Sequence, residues 1–252
     1  MADTPEKLPE LPIGELREIT LRIPGEHFFC DSISLPVSLK ADKYQDFAEF
    51  VLNEGGLSPY PVEQLAWGYQ ADEEFRKIFI FAAPLAKLRQ MGWQNLEIFR
   101  RVFPSFISLL GMEYPKPTIA FLLFEDTLTA ASFQEDSSVP DFLFSIPLDE
   151  DEGDESIEDA RGKLLSLFDL ENYQIAKDIL VARDVERTKD GFFRFEHEWL
   201  DGKESGLSLD QEVLLAADEL WSSDLRQLEF KEVEQKRRNQ ARARLKGILM
   251  WS

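Results

Sequence analysis

Few residues in this chain have the type and spacing that catalysis requires. The two histidines, His27 and His197, lie far apart, and neither has a second residue at the spacing of a metal site. The single cysteine, Cys30, lies in an apolar, strand-like segment with no local feature of a nucleophile, which is typical of a buried and inert thiol. The sequence therefore predicts structural or surface roles for the two histidines and a structural role for Cys30.

Motifs for phosphate binding and for nucleophilic catalysis are also missing. The chain contains no G-x-S-x-G, no G-x-x-x-x-G-K-[ST] and no G-x-G-x-x-G sequence. Gly162-Lys163 has neither the upstream glycine nor the following hydroxyl residue of a phosphate loop. The densest acidic run, residues 149–155, lacks the glycine and glutamate spacing of an EF-hand, which favours a solvated loop over a calcium site. We expect no catalytic residue, no cofactor and no metal.

The C-terminal segment differs chemically from the rest of the chain. Between residues 231 and 246 seven side chains are basic and two are acidic, and the composition favours a helix. The segment then becomes apolar over residues 247–251, like the cytoplasmic flank of a membrane helix, where positive charge stays inside. The alternative is an ordinary solvated helix. We expect contact with a partner or an anionic membrane surface through Lys231, Lys236, Arg237, Arg238, Arg242, Arg244, Lys246 and Trp251.

The composition restricts the classes of function. A net charge of −20 over 252 residues repels nucleic acid backbones from most of the surface, so a nucleic acid partner is not expected. A hydrophobic fraction of 44%, with 20 phenylalanines, is enough for a folded core. A single cysteine fits a reducing compartment, and neither a secretory signal nor a run of about 18 apolar residues is visible. These features predict a cytoplasmic protein.

The order of predicted elements indicates an α/β protein of two lobes with mixed sheets. A loose lead-in over residues 1–15 precedes a first lobe over 16–116 and a second lobe over 117–228. A basic helix over 229–252 follows, and it is predicted to be juxtamembrane. Within the second lobe, residues 149–159 are so acidic that we expect a mobile connector.

The second lobe begins with three predicted strands in succession, the first of them, Thr118–Phe124, apolar almost throughout. A helix over 158–168 comes next, and Asp190-Gly191 predicts a hairpin between the two strands that flank it. The last element before the basic segment is a predicted helix over 209–221. Three strands, a helix and a further strand is the order of a ribonuclease-H-like lobe.

Several short motifs occur together in the first half of the chain. They are Leu35-Pro36 ahead of a helix, Pro59-Tyr60-Pro61-Val62-Glu63 ahead of a strand with Trp67 and Tyr69, Ala82-Ala83 at the end of a Phe-rich strand, and RVFPSFISLLG at Arg101–Gly111. With these motifs the chain resembles the GspL/PilM group of actin-like proteins, cytoplasmic components of type II secretion and type IV pilus machines. The similarity continues through AFLLFEDTLTAASFQED and PDFLFSIPL, and it covers about two thirds of the chain.

This resemblance implies two ribonuclease-H-like lobes of the actin-like fold. It also implies a non-catalytic structural adaptor at the cytoplasmic face of the inner membrane, linking an assembly ATPase to inner-membrane platform proteins. Nucleotide-binding relatives use an Asp-x-Gly turn between the first two strands of each lobe, so that backbone N–H groups can approach phosphates. Here the turns read Pro24-Gly25-Glu26 and Glu125-Asp126, which predicts no ATPase activity.

Two other classes of function stay open. One is a soluble scaffold whose basic tail binds an acidic partner, and a membrane helix after Ser252 in the complete gene would separate it from the adaptor. The other is a metal-dependent ribonuclease-H-like enzyme, which needs an aspartate inside the first strand of its lobe. Thr118–Phe124 contains no carboxylate, and Glu125 and Asp126 only follow it. The adaptor is therefore the favoured interpretation.

Overall fold

The structure is a computed structural model that describes residues 19–149, 154–187, 193–200, 212–215 and 217–249. The strands in these ranges are β1 (Thr20–Ile23), β2 (Phe29–Ser34), β3 (Leu65–Asp72), β4 (Lys77–Pro84), β5 (Arg101–Pro104), β6 (Thr118–Phe124), β7 (Thr127–Phe133), β8 (Phe142–Pro147), β9 (Gln174–Arg187), β10 (Phe193–Trp199) and β11 (Glu212–Leu215). The helices are α1 (Tyr44–Glu54), α2 (Leu85–Gln90), α3 (Asp154–Leu165), α4 (Ala217–Ser223) and α5 (Leu228–Leu249).

The first half of the chain forms two small sheets. Strands β2, β4 and β3 make an antiparallel sheet with β4 in the centre, and β1 pairs with β5 in parallel. Successive side chains of a strand point to opposite faces, and in β4 both faces are apolar. Ile78 and Ile80 pack under α1, while Phe79 and Phe81 enter the main core. The apolar run in β4 is thus explained by burial on both sides.

The second half forms one six-stranded mixed sheet in the order β11-β10-β9-β6-β7-β8. Strands β6, β7 and β8 are antiparallel neighbours, α3 follows, and β9 then returns parallel to β6. Three strands, a helix and a further strand were predicted from the sequence, and the structure confirms them. Helix α3 covers one face of this sheet through Ala160 and Leu164, which pack with Phe121 and Leu128.

The largest core cluster contains side chains from both halves of the chain. It includes Phe81 and Phe106 from the first half and Leu122, Leu180 and Phe195 from the second, each at most 1% exposed. Burial of one such side chain stabilises the folded state by roughly 1.5–3 kcal/mol. The two sets of sheets are therefore joined through a common interior.

Three sequence predictions need correction. The acidic stretch after Asp149 is helical from Asp154, because carboxylates favour a helix N-terminus and Ile157 packs on the core. The predicted helix over 209–221 is instead β11 followed by α4, since the apolar residues of 212–215 pair with β10. The sequence also favours a strand near Leu96–Phe103, and only its second half forms one, as β5, while Leu96–Ile98 form a short 3-10 helix.

The mixed α/β fold class is confirmed, and so is a helix in the basic C-terminal segment. The boundaries of the two lobes, at residues 116 and 228, stay predictions. None of the helices in the described part of the chain combines the length and the apolar content needed to cross a bilayer. Residues 1–18, which include the predicted lead-in, and the Asp190-Gly191 turn lie outside the described residues. The two strands that flank that turn do pair in antiparallel fashion, as β9 and β10.

Candidate functional site

The two turns that the resemblance assigns to phosphate binding come together in the structure. The first turn follows β1, and the second connects β6 to β7. A Cβ atom on Gly25 would lie 2.4 Å from Ser145 Oγ and 3.0 Å from Thr129 Oγ1, so the first turn packs directly on β7 and β8. Glycine at this position permits close approach between two parts of the protein. We call this contact, formed by Gly25, Glu26 and the Glu125–Thr127 turn, the junction.

Carboxylates dominate the junction. Thr127 Oγ1 donates a hydrogen bond to Glu26 Oε2 at 3.2 Å, which places Glu26 beside the turn that carries Glu125 and Asp126. Glu125 has a φ of +49°, a left-handed conformation that glycine adopts more easily. Burial, together with the charge of Asp126, raises the pKa of Glu125, while Arg22 opposes the rise. Three carboxylates at this point repel a phosphate group.

A second set of polar contacts holds the halves together at the end of β7 and β8 that lies opposite the junction. Asp72, at the end of β3, is buried, and its Oδ2 accepts hydrogen bonds from the backbone N–H and the Oγ of Ser138 at 2.9 and 3.0 Å. Lys77 Nζ lies 2.5 Å from Asp141 Oδ1, and both side chains are largely buried. Buried charge-assisted bonds of this kind are costly to break. The two halves are fixed in one relative position by side chains as well as by the core.

The histidines and the cysteine take structural positions. His27 is 5% exposed, and its ring packs edge to face against the ring of Trp93. Burial, together with the charge of Lys87, lowers the pKa of His27 to about 4. Burial and the neighbouring Asp31 raise the pKa of the Cys30 thiol, which suppresses the reactive thiolate. His197 is buried in β10. Within the described ranges, no group of three or more metal-ligating side chains comes together.

A buried polar cluster anchors the basic helix α5 to the rest of the protein. Arg226 donates to both carboxylate oxygens of Asp224, from Nε at 3.0 and 3.1 Å and from one terminal nitrogen at 2.7 Å. Lys231, in the first turn of α5, donates to the carbonyl oxygens of Trp221 and Asp224 at 3.0 and 2.8 Å. These three charged side chains are at most 6% exposed. We call Asp224, Arg226 and Lys231 the anchor.

The anchor fixes the start of α5 and leaves the following part of the helix on the surface. Glu234 pairs with Arg226 at 3.1 Å and is half-buried. Between residues 232 and 240 the other side chains that the structure describes are exposed. The 22 residues of α5 extend over about 33 Å at 1.5 Å per residue. Residues 231–246 have a formal charge of +5, which leaves −25 on the rest of the chain.

The eight residues predicted to bind a partner therefore differ in position. Lys231 is buried in the anchor, where burial lowers its pKa to about 8, so its ammonium group is used inside the protein. Lys236 and Arg237 are exposed on α5. Trp251 lies outside the described residues. Four further residues belong to α5 by their backbone, and the structure describes no side-chain position for them: Arg238, Arg242, Arg244 and Lys246.

A groove of about 330 Å³ lies between α1 and the start of α5. Trp67 and Tyr69, both half-buried, form part of its surface, and Glu49, Glu63 and Glu229 give it an acidic edge. Burial, together with Asp46, raises the pKa of Tyr69 to about 12, so its hydroxyl keeps its proton. Arg226 and Lys231 also line the groove, but their charged groups are bonded within the anchor.

Sequence reasoning missed the anchor and the groove. Lys231 was grouped with the other basic residues because one-dimensional spacing does not show which lysine of a helix faces the protein. A signal was present at Asp224-Leu225-Arg226, where an acid and a base two residues apart precede the helix. The groove depends on β3 and α5, which are far apart in sequence, so no local pattern could predict it.

Comparison with known proteins gives similarities at the level of solved structures. No protein-family model matches the sequence, and no curated protein matches it. The cytoplasmic domain of EpsL, an inner membrane component of the type II secretion system of Vibrio cholerae, is similar over 54% of this chain and 53% of that chain. The sequence identity is 12% and the TM-score is 0.35. The family resemblance seen in the sequence agrees with this similarity.

A protein of unknown function from Bacteroides thetaiotaomicron with an actin-like ATPase fold is also similar. The match covers 63% of this chain and 58% of that chain, with 14% identity and a TM-score of 0.30. The chain thus spans little more than half the length of either structure.

Proposed function

We propose that this chain is a non-catalytic adaptor that positions other components of an assembly at the cytoplasmic face of an inner membrane, in a secretion or pilus machine. The observation that carries the proposal is the anchored basic helix. A helix of 22 residues starts from a buried ionic cluster, and its described side chains between residues 235 and 240 are exposed. The exposed basic residues are suited to bind anionic lipid headgroups, at about 1 kcal/mol for each residue near the membrane surface.

The junction supports the non-catalytic part of the proposal. The nucleotide-binding relatives use an Asp-x-Gly turn in each lobe, where backbone N–H groups approach the phosphates. In this chain Gly25 packs on Thr129 and Ser145, and three carboxylates occupy the surroundings. The ion pair of Lys77 with Asp141 and the bonds of Asp72 to Ser138 oppose opening of the two halves.

The partners that follow from the proposal are an assembly ATPase and inner-membrane platform proteins. The acidic groove between α1 and α5 provides a second surface, and its chemistry suits a basic segment of one of these partners. Because the anchor joins this groove to the start of α5, a partner in the groove and a membrane at the helix would be held in a defined geometry.

Vesicle co-sedimentation tests the proposal. We compare the full chain with a form that ends after Glu234, which keeps Lys231 and the Arg226–Glu234 pair intact. The full chain is expected to bind phosphatidylcholine vesicles that contain 30% phosphatidylglycerol, as a chosen probe, and to release them as salt is raised. The shortened form is expected to lose most of this binding.

A pair of charge reversals provides the matched control. Lys236→Glu with Arg237→Glu should weaken vesicle binding strongly, whereas Lys40→Glu with Lys87→Glu, which changes the net charge by the same amount on exposed sites, should not. Equal effects of the two double variants would show that net charge alone governs binding. If no form binds at low salt, the membrane part of the proposal is wrong, and a soluble scaffold with a basic tail replaces it.

A further inference from the structure

A second groove, of about 770 Å³, lies at the C-terminal end of α3 and beside β8, away from both the junction and the anchor. Its apolar surface comprises Phe142, Phe144, Leu167, Phe168 and Tyr173. Phe142 and Leu167 are 55% and 54% exposed, although both are large apolar residues. Leu170, which is 41% exposed, lies three residues after Leu167 in the chain. Contiguous exposed apolar residues of this size mark interaction sites.

The fold explains why this surface is uncovered. Phe142 and Phe144 are two residues apart on β8, so they lie on the same face of the sheet. Helix α3 covers that face and ends at Leu165, and the ring of Phe168 just beyond the helix packs against Phe144 at 5.3 Å. Phe142 continues the same row past the end of the helix, where its exposure shows that no described part of the chain covers it.

The polar groups around the groove are preorganised by hydrogen bonds to one another. Tyr173 donates from its hydroxyl to Asp141 Oδ2 at 3.0 Å, and Gln134 Nε2 donates to both of these groups, at 2.7 Å to Asp141 and 3.0 Å to Tyr173. Asp141 is itself held by Lys77. This network fixes the ring of Tyr173 as one side of the groove. A preformed apolar groove binds a ligand without a large ordering cost.

The charge around the groove indicates the chemistry of its occupant. Among the described residues that line it, Asp169 is the charged one, and Glu171 lies next to it, with its backbone N–H bonded to Asp169 Oδ1. Both side chains are exposed. We propose that this groove binds a basic amphipathic helix of a partner protein, with leucine or phenylalanine side chains in the groove and lysine or arginine beside Asp169 and Glu171. This site is independent of α5 and of the proposed membrane contact.

Fluorescence anisotropy with designed peptides tests the site. The probe is an 18-residue labelled peptide of leucine and lysine, with leucine at positions i, i+3, i+4 and i+7. It is expected to bind the full chain at least about tenfold more tightly than a peptide with alanine in place of leucine, because the apolar contacts are lost in the second. A leucine and glutamate peptide of the same pattern is also expected to bind at least about tenfold more weakly.

Protein variants locate the binding. Phe142→Ser and Leu167→Ser should each weaken binding of the leucine and lysine peptide about tenfold, and Asp169→Asn about twofold to fivefold. Phe50→Ser, which removes a side chain that is 60% exposed on α1, is the matched control and should leave the affinity unchanged.

Four results would overturn the proposal. They are absence of binding up to 1 mM peptide, equal binding of the alanine and lysine peptide, an equal effect of Phe50→Ser, and a dimer in light scattering that Phe142→Ser converts to a monomer. The last result would assign the groove to self-association instead of a basic partner.

Discussion

The Oδ2 atom of Asp72 accepts hydrogen bonds from the backbone N–H of Ser138 and from its Oγ, across 66 residues of sequence. Asp72 belongs to the three-stranded sheet of the first half, and Ser138 belongs to the loop between β7 and β8 of the second. Both oxygen atoms of the carboxylate are used, since Oδ1 accepts from the N–H of Phe75 at 3.0 Å. The buried carboxylate of Asp72 therefore joins the two halves of the protein through Ser138 and also stabilises the turn after β3 through Phe75.

Asp72→Ala should lower the free energy of unfolding by about 2–4 kcal/mol, because buried donors lose a charged acceptor. Urea denaturation measures the effect. Glu73→Ala, at the exposed neighbouring position, should change it by less than about 0.5 kcal/mol. A change at Asp72 no larger than that of the control would mean that the contact adds little to stability.

Gly25→Ala should destabilise the protein by about 1–3 kcal/mol, because the new methyl group meets Ser145 Oγ and Thr129 Oγ1. Combining it with Ser145→Ala removes the closest atom and should restore part of the loss. Gly162→Ala in α3 meets no atom within 4 Å and should stabilise by about 0.5–1 kcal/mol. Thermal and urea unfolding of the four proteins check the order, and a stable Gly25→Ala protein would contradict the packing at the junction.

Millimolar ATP or ADP with Mg²⁺ should leave the unfolding temperature unchanged, because the junction holds packed side chains and carboxylates. A nucleotide at 100 times its dissociation constant would add about 2.7 kcal/mol to stability, which a thermal scan detects readily. A reproducible rise of several degrees would show that a nucleotide binds and that the non-catalytic proposal needs revision.

His27 should make the protein less stable as pH falls. Its pKa is lowered to about 4 in the folded state by burial and by Lys87, whereas an exposed histidine titrates near 6.5. Between these values the unfolded chain binds the extra proton, so stability rises with pH, and about 2–3 kcal/mol present above pH 6.5 is lost on the way to pH 4. His27→Gln removes this titration, so its stability should depend less on pH over that window in urea denaturation. If the free energy of unfolding depended on pH in the same way in both proteins, the lowered pKa of His27 would be contradicted.

Elements with a local signal were predictable, and elements decided by distant contacts were not. The apolar strand β6 and the β9–β10 hairpin follow from the residues themselves. Residues 209–221 have helix-forming composition, yet 212–215 pair with β10, so tertiary pairing overrides propensity there. The degenerate turns at Gly25 and Glu125 were identified from the sequence, but their contact with each other needs the fold. The burial of Lys231 could not be predicted from the sequence for the same reason, since it depends on Asp224 and on the direction of α5.

The anchor also has a mechanical consequence. A helix about 33 Å long with a buried base acts as a lever, because a force on its far end exerts a torque on the residues at its start. That torque acts on Asp224 and Arg226, and Arg226 also donates to the carbonyl oxygen of Phe99 just before β5. Asp224 in turn accepts from the N–H of Val102 in β5, which lies beside β1 in the small parallel sheet. A load on the helix tip would therefore act on these hydrogen bonds and, through Val102, on the strand pair that precedes the junction.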